Sequence, residues 1–203
     1  MEMFSDGVFA IAITLLVLDL ISTLHPHTDE PLLQKVLHHW RSFLAFVIGF
    51  ITILICWINH HTAFEYIRRV DTNLMWINGS LLFVVTLTPF PTAILAEYLE
   101  KQGWAAVAIF SINYFLIAIA AYGICIYAYR HHLIDEADRP FFKAYKQIYL
   151  YSIFFTILAF ALSFVSILIP MVMYAILFSF FAAPKVCAKK LYNWKVRAKS
   201  NNQ

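Results

Sequence analysis

Charge, glycine and proline are scarce in this chain. Of its 203 residues 13% are charged, with only 5 glycines and 7 prolines, whereas a soluble domain carries about a quarter charged residues. The low glycine and proline exclude a collagen-like or linker sequence, and the low charge argues against a water-soluble globule. Intrinsic disorder is excluded by the opposite excess, since 62% of the residues are hydrophobic. The cysteines Cys56, Cys125 and Cys187 stand far apart and form no Cys-x-x-Cys pair, so neither a disulfide framework nor a zinc knuckle is encoded. There is also no His-Glu-x-x-His, the helical pattern of many zinc enzymes.

What is present is a series of long apolar runs. A bilayer core needs about 20 mostly apolar residues in a helix, because no water is available to the backbone. Runs of that kind predict an all-α membrane protein with six transmembrane helices, spanning about 4–24, 42–62, 73–97, 104–129, 146–163 and 170–185. Pro89 and Pro91 should break or kink the third near its end. The stretch from Ile148 to Ala183 would be about 54 Å long as one helix, too long for one crossing. Ser163, Ser166 and Pro170 mark the expected turn there, with Pro170 opening the next helix. Residues 1–190 then form one membrane domain, and 186–203 overlap its end as a basic tail.

Lys and Arg collect in cytoplasmic loops. If the N-terminus is cytoplasmic, so are Arg68, Arg69, Arg130, Arg139, Lys143, Lys146 and the basic residues from Lys185 onward, leaving only Lys35, Arg41 and Lys101 outside. Both termini are therefore expected in the cytoplasm. The first run has no basic leader and no small-residue cleavage site after Leu24, so it is expected to stay in the mature chain rather than act as a signal peptide. The net charge of +3 serves orientation and contact of the tail with anionic lipid headgroups. Nucleic acid is not an expected partner, because no basic face with interleaved aromatics occurs outside the tail.

The first helix is the most informative segment. Asp6 and Asp19 are costly facing lipid, so this helix needs a side toward protein or water. Ile11, Leu15 and Leu18 recur at i, i+4 and i+7 and share a stripe, with Thr14 about 60° to one side. Such a stripe equally describes core packing between helices, and Phe4-Ser5-Asp6 equally describes a helix start, with Ser5 capping and Asp6 meeting the positive end of the dipole.

The string from Phe4 to Asp19, Phe-Ser-Asp-Gly-Val-Phe-Ala-Ile-Ala-Ile-Thr-Leu-Leu-Val-Leu-Asp, resembles the signature first helix of the transmembrane protein 175 family, potassium-permeable channels of endolysosomes with prokaryotic relatives. The segment from Cys56 to Thr92, with Trp57, His60, Arg68, Asp71, Asn78, Pro89 and Thr92, is similar to the second and third helices of one family repeat. Beyond Trp104 only hydropathy agrees. The resemblance implies a potassium-permeable cation channel, not an enzyme. Its first helix would line the pore, and a single-repeat chain would assemble as a homotetramer in a prokaryotic cell membrane. No Thr-Val-Gly-Tyr-Gly loop is available for a carbonyl filter. On the matching positions, Ile11, Leu15 and Leu18 would form the hydrophobic pore constriction and Thr14 a polar ring. That arrangement implies modest K+ over Na+ preference, with Cs+ and Rb+ as further permeant ions, and no cofactor or resident metal.

The resemblance also assigns Ser5 and Asp6 to an inter-helix polar network, with Trp57, Asn59, His60 and Asn78 as candidate partners; on a helix Asp6 lies about 140° from Ile11, away from the stripe. Asp19 is placed at the pore mouth, where it would concentrate cations, or it is simply a solvated helix end. The family's Arg four residues before the Phe would fall just before Met1, which bears on the cytoplasmic anchor and not on the stripe. Two further readings remain. Three His-His pairs suggest a metal enzyme, but the expected topology puts His38 and His39 on one side and His60, His61, His131 and His132 near the other, so they cannot share a metal. A secondary transporter with a site between helices is the stronger alternative, drawing on Asn78, Thr86 and Asn113, although no inverted repeat is visible.

Overall fold

The computed structural model describes residues 1–23, 31, 33–34, 37 and 39–200. Its helices are α1 (Glu2–Thr23), α2 (Trp40–Tyr66), α3 (Thr72–Thr86), α4 (Pro89–Arg130), α5 (Arg139–Ser163), α6 (Leu168–Phe181) and α7 (Pro184–Ser200). Asp71 starts α3: its backbone is extended and its carboxylate accepts the Leu74 amide at 2.8 Å, which satisfies a donor the helix cannot. Pro89 opens α4, where a missing N–H costs nothing.

The 42 residues of α4 are not one rod, because Gln102 has non-helical angles (φ −142°, ψ 49°). Thr88 and Asn113 would be about 37 Å apart on a straight helix. Instead Asn113 Nδ2 donates to Thr88 Oγ1 at 3.2 Å. The chain therefore reverses at Gln102, and the limbs 89–101 and 103–130 pack as a hairpin.

Several boundaries differ from the sequence reading, each for a local reason. The expected span 73–97 is split at Leu87–Thr88 into α3 and the first limb of α4, since Pro89 cannot donate to the preceding turn. The span placed at 146–163 belongs to a longer helix that starts at Arg139, with Pro140 in its first turn. Pro170 does not open the sixth helix: α6 starts at Leu168, and the proline occupies its third position, where an amide still has no intrahelical partner. That helix ends at Phe181 rather than at 185, and α7 follows after an 84° bend. Leu24 and Lys35 lie outside the described residues.

Among the described residues, three stretches are long and apolar enough to cross a bilayer, Trp40–Tyr66, Thr72–Arg130 and Arg139–Ser163. A fourth joins them if α6 and Pro184–Asn193 are taken as one bent pair.

One end of the molecule gathers the links between helices. Ile67 pairs with Ile134 as an isolated antiparallel bridge, and the Arg68 amide donates to the Leu133 carbonyl at 2.9 Å. Beside these, Arg68 meets Asp135 at 3.2 Å and Lys185 meets Glu65 at 2.6 Å. At the opposite end Arg41 pairs with Glu100, and the rings of Trp104 and Phe164 stand 5.6 Å apart. The larger apolar cluster includes Phe9, Leu16, Ile53, Leu74 and Phe142. A smaller one around Leu95, Val107, Phe110 and Tyr174 joins the α4 hairpin to α5 and α6.

Candidate pore-lining helix and its polar anchor

α1 buries one face and leaves the other open. Ser5, Phe9, Ala12 and Leu16, at i, i+4, i+7 and i+11, are nearly inaccessible, and this face rests chiefly on α2 and α3. The approach to α2 is close: a Cβ on Gly49 would stand 3.0 Å from Leu16 Cδ2. Rotated from this face, Ile11, Leu15 and Leu18 are 61%, 50% and 57% exposed in the single subunit. Thr14 stands on the same open side, and its hydroxyl donates to the Ile11 carbonyl at 2.9 Å. With its proton used on the backbone, the Thr14 oxygen faces outward as an acceptor only. Gly7, one turn nearer the N-terminus, has no side-chain neighbour within 4 Å of where a Cβ would be.

The N-terminal turn of α1 is tied to α2 and α3 by a chain of polar contacts. Trp57 Nε1 donates to Asp6 Oδ1 at 2.8 Å. Asn78 Nδ2 donates to Ser5 Oγ at 3.0 Å, and Ser5 in turn donates to the Met1 carbonyl at 3.3 Å. Asn78 Oδ1 lies 2.7 Å from His60 Nε2; because that oxygen can only accept, Nε2 carries the proton. His60 is packed between the rings of Phe9 (5.4 Å) and Phe64 (4.4 Å). Buried polar groups in a membrane protein must find partners, and here Ser5, Asp6, Trp57, His60 and Asn78 supply one another.

Asn59 is not part of this set. Its side chain points toward α6, where Nδ2 donates to the carbonyls of Ile55 and Phe181, both at 2.8 Å. Adjacent positions on a helix are about 100° apart, and here Asn59 turns to Phe181 while His60 turns to Asn78. Asp19 lies on α1, but its side chain is outside the described residues.

The family model described as endosomal/lysosomal potassium channel TMEM175 matches residues 1–89. A potassium channel of Chamaesiphon minutus is 41% identical over 170 residues, which cover 82% of this chain and 84% of that one. The chain belongs to the TMEM175 family. Another relative, a potassium channel of Streptomyces collinus, is 42% identical over 149 residues, covering 70% and 71% of the two chains. The TMEM175 of Gallus gallus, described as an endosomal/lysosomal proton channel, is 31% identical over 108 residues, half of this chain and 22% of that one. The crystal structure of a lysosomal potassium-selective channel TMEM175 homolog from Chamaesiphon minutus matches with a TM-score of 0.75 at 36% identity, over 91% of this chain and 95% of that chain. As a TMEM175 member with several long apolar helices, the protein is a multi-pass membrane protein of a channel family and not an enzyme.

The structure gives partners in this TMEM175 subunit that the sequence reading did not assign. Asp71 accepts not only the Leu74 amide but also the Tyr127 hydroxyl at 2.8 Å, joining the start of α3 to the end of α4. These two donors hold its carboxyl below the usual carboxylate range. Asn113, named in the sequence reading only for the alternative transporter site, fastens the α3–α4 break through Thr88. Tyr145 donates to the backbone carbonyl of Asn59 at 2.8 Å. The Asp-Thr step before an apolar run was a readable cap signal. Nothing in sequence spacing indicates the partners of Asn113 or Tyr145.

Proposed function

We propose that this chain forms a homotetrameric, potassium-permeable cation channel in which four copies of α1 surround the axis. The observation that carries the reading is the two-sidedness of α1. One face is packed and fastened by Asp6–Trp57 and Ser5–Asn78, while Ile11, Leu15, Leu18 and Thr14 stand on the open face. Four such faces form stacked apolar rings. A narrow apolar ring gates by dewetting and favours the cation that gives up water more cheaply, so K+ passes more readily than Na+. The outward lone pairs of Thr14 offer a partial substitute for hydration water. Preference produced this way is modest, because no ring of backbone carbonyls takes part.

The chain crosses the membrane six times in this reading: α1, α2, α3 with the first limb of α4, the second limb of α4, α5 and α6. The same reading sets both termini on the side that gathers Arg68, Arg69, Arg130, Arg139 and Lys185, taken as cytoplasmic from the distribution of positive charge. In a prokaryotic cell this membrane is the plasma membrane.

Unitary currents in planar bilayers test the function, since a secondary transporter turns over too slowly to give open-channel steps. Under a K+/Na+ gradient Ile11→Asn raises conductance several-fold and moves the reversal potential toward no discrimination. Unchanged permeation in that variant removes Ile11 from the constriction. The name of the Gallus gallus relative makes the same recording across a proton gradient a necessary companion.

A further inference from the structure

α6 stops at Phe181, and α7 leaves it at an angle of 84°. When a helix that crosses the membrane is followed by such a bend, the next helix runs along the membrane surface. α7 carries six basic residues and no acidic one between Pro184 and Ser200. Its rotation is fixed by packing: Ala188 is fully buried in the larger apolar cluster, with Cys187 and Leu191 against it. Lys185, Val186, Lys189 and Lys190 are therefore turned away from the core, and all four are exposed.

The corner between α6 and α7 holds a surface cleft of about 340 Å³ against α2. Its walls are mostly apolar, with Trp57 and Ile58 from α2 and Ala183, Pro184 and Val186 from the corner. Lys185 also borders it; this lysine meets Glu65 at 2.6 Å yet stays half-exposed. The outward side of α7 adds Lys189 and Lys190, and among the described residues no carboxylate pairs with either. Three ammonium groups thus stand against one carboxylate. Lys185 and Lys189 are i, i+4 neighbours, about 6 Å apart at Cβ, close enough for one phosphate to lie between their amines. On α2, Trp57, His61 and Glu65 recur at i, i+4 and i+8, and all three border the cleft. Trp57 stacks on His61 at 5.8 Å and holds Asp6 of α1, so the cleft shares a wall with the anchor of that helix.

We propose that this corner seats an anionic phospholipid of the inner leaflet, with the upper part of an acyl chain in the cleft and the phosphate between Lys185 and Lys189. It rests on the membrane crossing of α6 proposed above and not on conduction along α1. The cleft falls within the ~300–1,000 Å³ range of small-molecule sites. An apolar wall beside unmatched ammonium groups, at the level where lipid meets water, suits an amphiphile with a negative head. A free inorganic anion would leave the apolar wall wet. A zwitterionic lipid would bring a cation of its own against the positive excess of α7.

Photolabelling of the full-length protein in nanodiscs tests the site, using a trace of phosphatidylglycerol that bears a diazirine on the upper part of its acyl chain. Adducts mapped by mass spectrometry are expected at Ile58, Ala183 or Val186. Unlabelled phosphatidylglycerol should displace them at least about tenfold more effectively than phosphatidylcholine with the same chains, at about fivefold per lysine near the surface, and inorganic phosphate should not displace them. Lys189→Gln, which breaks no ion pair, reduces the preference for phosphatidylglycerol about fivefold. Ala183→Trp fills the cleft from an exposed position, keeps every charge and removes the adducts. Equal competition by the two lipids, displacement by inorganic phosphate, adducts only elsewhere, or labelling that persists in Ala183→Trp overturns the proposal. Unitary K+ currents recorded from the same preparation separate the two readings: currents without corner adducts defeat the lipid site alone, and corner adducts without currents uphold it while the channel reading falls.

Discussion

Thr14 and Asp6 show how much a single side chain's partner decides. Both are polar residues on the same apolar helix, yet Thr14 closes its hydroxyl on the Ile11 carbonyl and Asp6 reaches across to Trp57. Thr14 can therefore act on whatever lies on the open side, whereas Asp6 acts on neighbouring helices. Thr14→Val keeps the shape and removes the outward oxygen; with assembly intact, its bi-ionic K+/Na+ reversal potential shifts toward zero. An unchanged potential would take Thr14 out of the permeation path. Asp6→Ala leaves the Trp57 N–H without its acceptor and costs about 1.5–3 kcal/mol, the range for hydrogen bonds to charged groups. Its signature is a lower melting temperature and fewer intact oligomers, with ion preference unchanged in those that survive; an altered preference in fully assembled particles contradicts the assignment.

At the scale of elements, the molecule depends on how helices start and where they break. The prolines at 89, 91, 140, 170 and 184 mark first turns or their neighbourhood, where proline is tolerated. Asp71 joins the cap of α3 to the last turn of the second α4 limb through Tyr127, so Asp71→Ala loosens both elements at once. The pH dependence has a definite sign. Because the folded carboxyl is held below its ordinary value, the cap's contribution is complete above the unfolded value, about pH 4, and is lost as pH falls through the depressed folded value. The difference in thermal stability between wild type and Asp71→Ala is therefore constant from neutral pH down to about pH 5 and shrinks below about pH 4. A difference that grows on acidification would show that the carboxylate is not the stabilising form.

The whole molecule poses the question of what covers the open face of α1. Exposed apolar side chains also occur on the outer faces of α3, α5 and α6, at Trp76, Phe154 and Ile176 among others, as expected where helices meet lipid. Exposure alone does not separate a pore face from a lipid face. The polar anchor does more, since it orients α1 against two neighbouring helices, α2 and α3, and a helix held that rigidly can present the same stripe in every subunit of a symmetric ring. Native mass measurement in detergent is expected to find four subunits of 23.5 kDa, and Cys substituted at Ile11 should crosslink between subunits. A monomeric particle, or crosslinks confined to positions on α5, would place α1 against lipid.

Much of this was legible along the chain. Apolar runs of bilayer length disclosed a helical membrane protein, because a backbone without water has few alternatives to the helix. The 3.6-residue period set Ile11, Leu15 and Leu18 on one stripe and Asp6 on another, and the Phe4–Asp19 string pointed to the family. Boundaries at Pro89 and Pro170 were legible only approximately, since a proline marks a first turn without stating which residue of it. What sequence could not express is which polar groups meet. Asn59 and His60 are adjacent and chemically alike as hydrogen-bonding residues, yet one turns to Phe181 and the other to Asn78. That choice depends on the rotation of each helix about its axis, which packing against α1, α3 and α6 determines and no linear pattern records. The reversal at Gln102, the Asn113–Thr88 fastening and the Asn59–Phe181 contact belong to the tertiary structure for the same reason: each arises where segments distant in the chain compete for one volume.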